Sequence, residues 1–227
     1  MNPFEYLAEQ CLEERANRIP AWNKEARSFK SSSDLLDTLE KSLRTKLVGR
    51  GFYSYAFRGI GGKDYVLKVL KGPNKASYDP WVPFIKEVIS LRMWEKNSLF
   101  PRIDPENFIE YPDGSIAAFI EYYDPVKDFQ DDILRAQQAV GVTPMYIIGA
   151  FQQAAYECDE DVDHKAYTKA LAMAFRVTPE EMEEFIDFTA RFRHGNIKMD
   201  VNSGNFGKRK NGQIVIFDPI GHRITGR

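Results

Sequence analysis

The 227-residue sequence predicts an α+β chain, and three observations carry that reading. A helical period occupies roughly the first 44 residues, and a β-rich stretch with one helical interruption follows from Thr45 to about Tyr122. Beyond Asp124-Pro125 the composition turns helical again.

In the first segment Phe4, Leu7, Ala8, Cys11 and Leu12 recur at i, i+3, i+4, i+7 and i+8, with charged residues between them. After the break at Pro20 a second helix is expected, with Ser33 as N-cap and Leu35, Leu36, Leu39 and Leu43 as its apolar stripe. Such stripes ordinarily close a core, so these helices read as a covering appendage; a partner-binding arm is the alternative. The period then changes to three β-rich runs, at Leu47-Val48, Gly49 to Phe57 and Tyr65 to Leu70, two of them joined by Gly61-Gly62. Pro83 to Trp94 is helical in spacing and opens with a proline suited to a first turn. Two more strands, Asn107 to Tyr111 and Ser115 to Glu121, flank the turn Pro112-Asp113-Gly114.

In the remainder, the acidic run Asp159-Glu160-Asp161-Val162-Asp163 lacks the glycine and the closing glutamate of a calcium loop and reads as a solvated loop. Thr178-Pro179-Glu180-Glu181 combines an N-cap, a proline at the first helical position and a Glu three residues after the cap, which predicts a helix running to about Arg193. His194 then reads as a helix C-cap. An irregular segment from His194 to Asn205, a hairpin at Asn211-Gly212 and an apolar strand Ile214 to Phe217 complete the chain, the strand ending at Asp218-Pro219.

Composition narrows the function. Lys and Arg number 31 against 33 Asp and Glu, a formal charge of −2, which argues against direct nucleic-acid binding. Two cysteines, Cys11 and Cys158, give neither a disulfide framework nor metal-ligand spacing, and a reducing, cytoplasmic setting follows. No apolar run reaches the roughly 18 residues of a membrane span, and no cleavable leader is expected. The three histidines, His164, His194 and His222, lie far apart, which disfavours a multi-histidine metal site.

Four features carry chemistry. Gly49-x-Gly51 lies between two strands, where glycines can let a backbone approach phosphates, although they also serve bulges and tight turns. Lys68 interrupts the apolar run Val66-Leu67-Lys68-Val69-Leu70, and a lysine on a buried side needs an anion, for which Glu87 on the following helix is the candidate. The alternative is a snorkelling lysine and a merely structural pair. Asp200-Val201-Asn202-Ser203-Gly204-Asn205 offers a carboxylate and, five residues on, a side-chain amide. Asp218 adds a second carboxylate at a strand end, so the set comprises a base and two oxygen ligands suited to Mg²⁺, though a turn rich in Asn, Ser and Gly also forms for ordinary reasons.

The order and spacing of these features resemble the protein-kinase-like superfamily over roughly residues 45–220. Gly49-Arg50-Gly51-Phe52-Tyr53-Ser54 resembles its glycine-rich loop, with Ser54 in place of the third glycine. Val66-Leu67-Lys68 resembles its V-A-I-K strand, Glu87 the helix partner, and Glu121-Tyr122-Tyr123 the hinge. Asp200 to Asn205 resembles the D-x-x-x-x-N catalytic loop, and Asp218 the D-F-G aspartate. Gly-Arg-Gly-Phe-Tyr-Ser-Tyr-Ala-Phe, Asn202-Ser203-Gly204-Asn205 and Phe217-Asp218-Pro219 are most similar to the early serine/threonine kinases of autographivirus-type bacteriophages, which act in host takeover.

The resemblance implies a two-lobed fold: a helical extension at 1–44, an N-lobe at 45–122 with a five-stranded antiparallel sheet and one helix, and a shortened, mostly helical C-lobe at 123–227. It implies ATP and Mg²⁺ as cofactors, with Gly49, Gly51, Ser54, Lys68, Glu87, Glu121 and Tyr123 at the nucleotide. Asn205 and Asp218 would serve the metal, and Asp200 the acceptor hydroxyl. The expected activity is Mg²⁺-dependent phosphorylation of Ser/Thr in the protein itself or in host proteins, in the host cytoplasm and away from membranes.

Departures from the family pattern are equally specific. Lys198 and Met199 replace the His-Arg before the catalytic aspartate, Asn202 the lysine two residues after it, and Pro219-Ile220 the Phe-Gly of D-F-G. Only nine residues follow Asp218, which predicts the absence of an activation segment. Two alternatives follow: a kinase-shaped protein that grips a host factor without catalysis, and a small-molecule kinase or AMP transferase.

Overall fold

The β-rich runs form one antiparallel sheet because their side chains alternate between two faces, one of which is buried by helices. The computed structural model describes residues 20–41, 45–58, 65–126, 129–155, 163–194, 197–201 and 203–222. Two units result, Met1–Asp79 with Ile103–Tyr122 and Pro80–Arg102 with Tyr123–Arg227. The expected first helix, the Gly61-Gly62 turn, both cysteines and all but Asp163 of the acidic run lie outside the described residues.

In the first unit, helix α1 (Pro20–Arg27) and helix α2 (Ser32–Lys41) precede five strands, β1 (Lys46–Arg50), β2 (Ser54–Arg58), β3 (Tyr65–Leu70), β4 (Phe108–Glu110) and β5 (Ile116–Glu121). Strand order is β1-β2-β3-β5-β4, every pairing antiparallel. On one face Phe57, Leu67, Val69, Ile109, Ala117 and Phe119 meet Ala26, Leu35, Leu36 and Leu39 from the two helices. The α2 stripe therefore closes this core, each buried leucine contributing about 1.5–3 kcal/mol of transfer free energy. A polar clip holds α1: Asn23 Nδ2 donates to Asn107 Oδ1 at 3.2 Å, Arg27 Nη2 to the Glu106 carbonyl at 2.6 Å, and the Tyr111 hydroxyl to the Ala26 carbonyl at 3.1 Å. Burial pushes the Tyr111 phenol up to about 12.

Local details differ from expectation. Helix α2 begins at Ser32, and Ser31, not Ser33, caps it: Ser31 Oγ accepts from the Asp34 amide at 3.1 Å, three residues on, within reach of a short hydroxyl. A short helix α3 (Pro73–Tyr78), not anticipated from the sequence, follows β3; Gly72 before it has φ +91°.

The second unit opens with helix α4 (Trp81–Leu91), which starts two residues before Pro83. It stops at Arg92, whose left-handed φ of 48° divides it from α5 (Met93–Lys96), so the expected single helix through Trp94 is broken. The Asp124–Pro125 strand β6 leads into α6 (Phe129–Val140), α7 (Ile147–Ala154), α8 (His164–Phe175) and α9 (Pro179–Ala190). Strands β7 (Ile197–Met199), β8 (Phe206–Lys208), β9 (Ile214–Ile216) and β10 (Ile220–His222) complete it. Here β6, β8 and β9 form one antiparallel sheet in that order, and β7 pairs with β10. The Asn211-Gly212 hairpin is present, with Gly212 at φ +88°, whereas part of the segment read as irregular is strand β7.

The core of this unit is a chain of phenylalanines in mostly edge-to-face contact, running from Phe84 through Phe100, Phe185, Phe151 and Phe175 to Phe206. Phe206 directly follows Asn205, so the core anchors the downstream end of the candidate catalytic loop. The capping box at Thr178 and Glu181 is present in both directions. Glu181 Oε1 also accepts from the Ser98 amide and hydroxyl, at 3.2 and 2.8 Å. Burial alone would raise the Glu181 carboxyl, but these hydrogen bonds and the Arg209 guanidinium hold it below the ordinary carboxylate range. Helix α9 ends at Ala190, so His194 lies beyond the last turn, exposed, and is not its cap. The fold is α+β, with the five-stranded antiparallel sheet and the mostly helical later part that the sequence predicts. Among the described residues no helix is long and apolar enough to cross a membrane.

Candidate functional site

In the first unit Lys68 occupies the middle of β3, opposite Ala56 on β2 and Ala118 on β5. Ala56 in turn faces Gly49 on β1, and Ala118 faces Phe108 on β4. One row across the sheet thus reads Gly49, Ala56, Lys68, Ala118, Phe108. Leu67 and Val69 lie in the helix-covered core, so the period-2 alternation puts Lys68 on the opposite face. Its neighbours there, Ala56 and Ala118, are small on both sides, and Ala118 is fully buried. Lys68 itself is only 8% exposed, and a cation so buried is kept in place by anionic or polar surroundings.

The glycine-rich segment connects β1 to β2. Gly49 sits at a register shift in β1, and a Cβ there would stand 3.3 Å from the Ala56 Cβ, so a small residue is favoured by the cross-strand partner. At Gly51 a Cβ would meet only ordinary contacts, the nearest at 3.7 Å, so local packing does not itself demand a glycine there. The Gly51 amide donates to the Ser54 carbonyl at 2.9 Å and closes the turn. Lys71 Nζ donates to the Gly51 carbonyl at 2.6 Å and lies 4.4 Å from the Tyr55 ring, while Lys75 Nζ lies 3.9 Å from the exposed Phe52 ring. The loop tip is thereby fastened by two cations. At the far end of β5, Glu121 pairs with Tyr65, and Arg58 stacks 3.7 Å above the Tyr122 ring.

In the second unit Asp200, Asn205 and the two residues that flank Asp218 belong to one hydrogen-bonded frame. The Asp200 amide donates to the Pro219 carbonyl at 2.7 Å, Asn205 Nδ2 donates to the Asp200 carbonyl at 2.5 Å, and the Phe217 amide donates to the Asn205 carbonyl at 3.0 Å. All three functional side chains are half-buried. With its amino group committed to Asp200, Asn205 keeps its amide oxygen as a free-standing acceptor, the end that a hard cation prefers. Among the described residues no group of three or more His, Cys, Asp or Glu could hold a metal. The donor set therefore fits Mg²⁺ only as a partial site of one carboxylate and one amide oxygen, completed by phosphate and water, which is how Mg²⁺ is usually carried with nucleotides.

Glu87 lies on α4 in the second unit and accepts from Arg191 Nη1 at 2.9 Å. Tyr123, expected at the nucleotide, has a structural side chain: it is buried, its hydroxyl accepts from the Arg102 amide at 3.0 Å, and its ring stacks on Phe217 at 6.4 Å. Sequence reasoning missed Ala56 and Ala118, the small flanks of Lys68, although strand alternation could have found them. It also missed Gly207, Gly221 and Trp81. A Cβ on Gly207 would stand 2.1 Å from the Tyr123 Cβ, and one on Gly221 2.9 Å from the Asp200 Cβ.

No family model matches the chain, and no curated protein matches it. Among solved structures it is similar to the gentamicin–APH(2″)-IIa complex, at 14% identity, covering 84% of this chain and 71% of that one, with a TM-score of 0.37. It is similar to ADP-bound aminoglycoside phosphotransferase APH(2″)-Ib at 14% identity, with 85% and 72% covered and a TM-score of 0.34. Amicoumacin kinase hAmiN in complex with AMP-PNP, Ca²⁺ and Ami matches at 14% identity, 88% and 67% covered, with a TM-score of 0.38. At these identities and scores the likenesses are loose.

Proposed function

We propose that the chain is a minimal ATP- and Mg²⁺-dependent phosphotransferase of kinase-like type, transferring the γ-phosphoryl group to a Ser/Thr hydroxyl of itself or of another protein. The observation that carries the reading is the frame that ties Asp200, Asn205 and the Phe217–Pro219 strand end together through three hydrogen bonds. A base and two oxygen ligands held in one rigid element are what phosphoryl transfer requires, because positioning and charge neutralisation do most of its work.

In this reading the Gly49–Gly51 segment and Ser54 border the phosphates and the Lys68 ammonium orients them; Glu87, the partner that the motif assigns to Lys68, is engaged by Arg191. Glu121 and Tyr123 meet adenine through backbone groups. Asp200 orients the acceptor hydroxyl and takes its proton as the oxygen–phosphorus bond forms and ADP leaves. Asn205 and Asp218 would hold Mg²⁺, which when bound neutralises charge on the phosphates. The likeness of the motifs to phage kinases makes host proteins the first acceptors to try. A small-molecule hydroxyl is the second reading, favoured by Asn202, which stands where protein kinases of the Ser/Thr type have lysine.

Incubation with γ- and, in parallel, α-labelled ATP tests this. Label from γ alone, dependent on Mg²⁺ and lost in Asp200→Asn and Asp218→Ala, is the expected result. Label from α would make the chain an AMP transferase. Absence of both, together with no thermal stabilisation by Mg²⁺-ATP, would leave a binding protein without catalysis.

A further inference from the structure

We propose that Trp81 is a positioning residue for the metal-binding pair: its indole N–H locks the peptide plane that carries Asp218. The proposal rests on the phosphotransferase reading of Asn205 and Asp218. Trp81 is the first residue of α4 and is fully buried, and its Nε1 donates to the Phe217 carbonyl at 2.9 Å. That oxygen belongs to the planar peptide group that also contains the nitrogen and Cα of Asp218. Fixing it removes a soft rotation immediately before the carboxylate.

Every other handle on Phe217 is also occupied. Its amide donates to the Asn205 carbonyl at 3.0 Å, and its ring stacks on Tyr123 with 9° between the planes. Phe217 thus bridges the two candidate ligands: one side of its backbone holds Asn205, and the other side, through Trp81, holds Asp218. Helix α4 is itself immobilised by Phe84, Ile85 and Val88, all fully buried, so the indole is a rigid lever and not a mobile side chain. A buried indole must find some acceptor, and a purely structural role would be satisfied by any carbonyl. The choice of this carbonyl gives Trp81 a consequence for metal affinity that packing alone would not.

The test replaces Trp81 by Phe, which keeps an aromatic ring and removes the donor. Mn²⁺ affinity is measured by electron paramagnetic resonance with AMP-PNP present, alongside the thermal midpoint and KM and kcat for Mg²⁺-ATP. The expected result is Mn²⁺ binding weakened about tenfold in the folded variant, the size typical of lost support for a metal ligand. Asp218→Ala serves as the control that loses the site. Unchanged Mn²⁺ affinity with a lowered thermal midpoint overturns the proposal and leaves Trp81 a structural residue. If Trp81→Phe does not fold, 3-benzothienylalanine placed at position 81 alone removes the N–H while keeping the ring shape, and the same two outcomes decide. If the unmodified protein binds no Mn²⁺ with AMP-PNP, the phosphotransferase reading itself falls, a result distinct from equal binding by both proteins.

Discussion

Gly221 stands against Asp200 so closely that a methyl group on it would lie 2.9 Å from the Asp200 Cβ and 3.0 Å from Oδ2. Pairing of β10 with β7, Gly221 opposite Lys198, holds the two segments at that distance. Gly221→Ala must therefore turn the Asp200 side chain or part the strands. On the proposed function the expected outcome is a loss of phosphotransfer on the order of a hundredfold, the scale of a misplaced reacting group. Mn²⁺ affinity, which the proposed function assigns to Asn205 and Asp218, should change far less. Full activity in Gly221→Ala would show that the carboxylate tolerates displacement.

Among the described glycines the closest approach is that of Gly207 to Tyr123, where a Cβ would lie 2.1 Å from the Tyr123 Cβ and 3.4 Å from its Cα. Neither atom is the end of a flexible side chain, so relief requires backbone movement in the β6–β8 pair. Gly207→Ala should destabilise the protein by about 1–3 kcal/mol or more. A lowered urea midpoint at unchanged slope would record it.

Glu181 joins the start of α9 to Ser98, and its carboxyl titrates below the ordinary carboxylate range. A group whose folded value is depressed stabilises above its unfolded value and loses that contribution as pH falls through the folded one. Glu181→Gln should therefore lower the urea midpoint at pH 7, and the gap from the parent should narrow as the solution is acidified through the carboxylate range. A gap independent of pH would mean that the hydrogen bonds, and not the charge, supply the stability.

Tyr111 gives the opposite sign. Its phenol is raised to about 12 by burial, so the folded state keeps the proton that the unfolded chain releases near the ordinary value of about 10. Stability from this group is complete below about 10 and is lost as pH rises towards about 12. Tyr111→Phe should flatten the alkaline decline, at the cost of the hydroxyl bond to the Ala26 carbonyl, which lowers stability at neutral pH by about 1 kcal/mol. Urea denaturation at several pH values above 9 compares the two.

The elements most legible in the sequence were those whose signal is local. Thr178-Pro179-Glu180-Glu181 specifies a helix start within four residues, since both hydrogen bonds of the capping box close inside that span. The leucine stripe of α2 and the five strands up to Glu121 follow from side-chain period alone. Asp200 and Asn205 could be paired in advance because they are five residues apart in one turn, which the amide–carbonyl bond between them closes. Three consecutive serines offer the same capping chemistry, and only backbone geometry selects Ser31 over Ser33.

What the tertiary structure decided depends on residues far apart in the chain. Trp81 and Phe217 are 136 residues apart, and Ser98 and Glu181 are 83 apart; no local pattern marks either bond. The assignment of residues 80–102 to the second unit is of the same kind, because Phe84 and Phe100 become core residues only when α9 is beside them. Gly207 and Gly221 look like any other glycines until Tyr123 and Asp200 fill the space that a Cβ would need. The sequence by itself determined which elements form and which side chains can do chemistry, since period, capping and donor type are properties of a short stretch. Folding decided which of those side chains are held still, since that depends on long-range close packing and on buried polar groups finding distant partners.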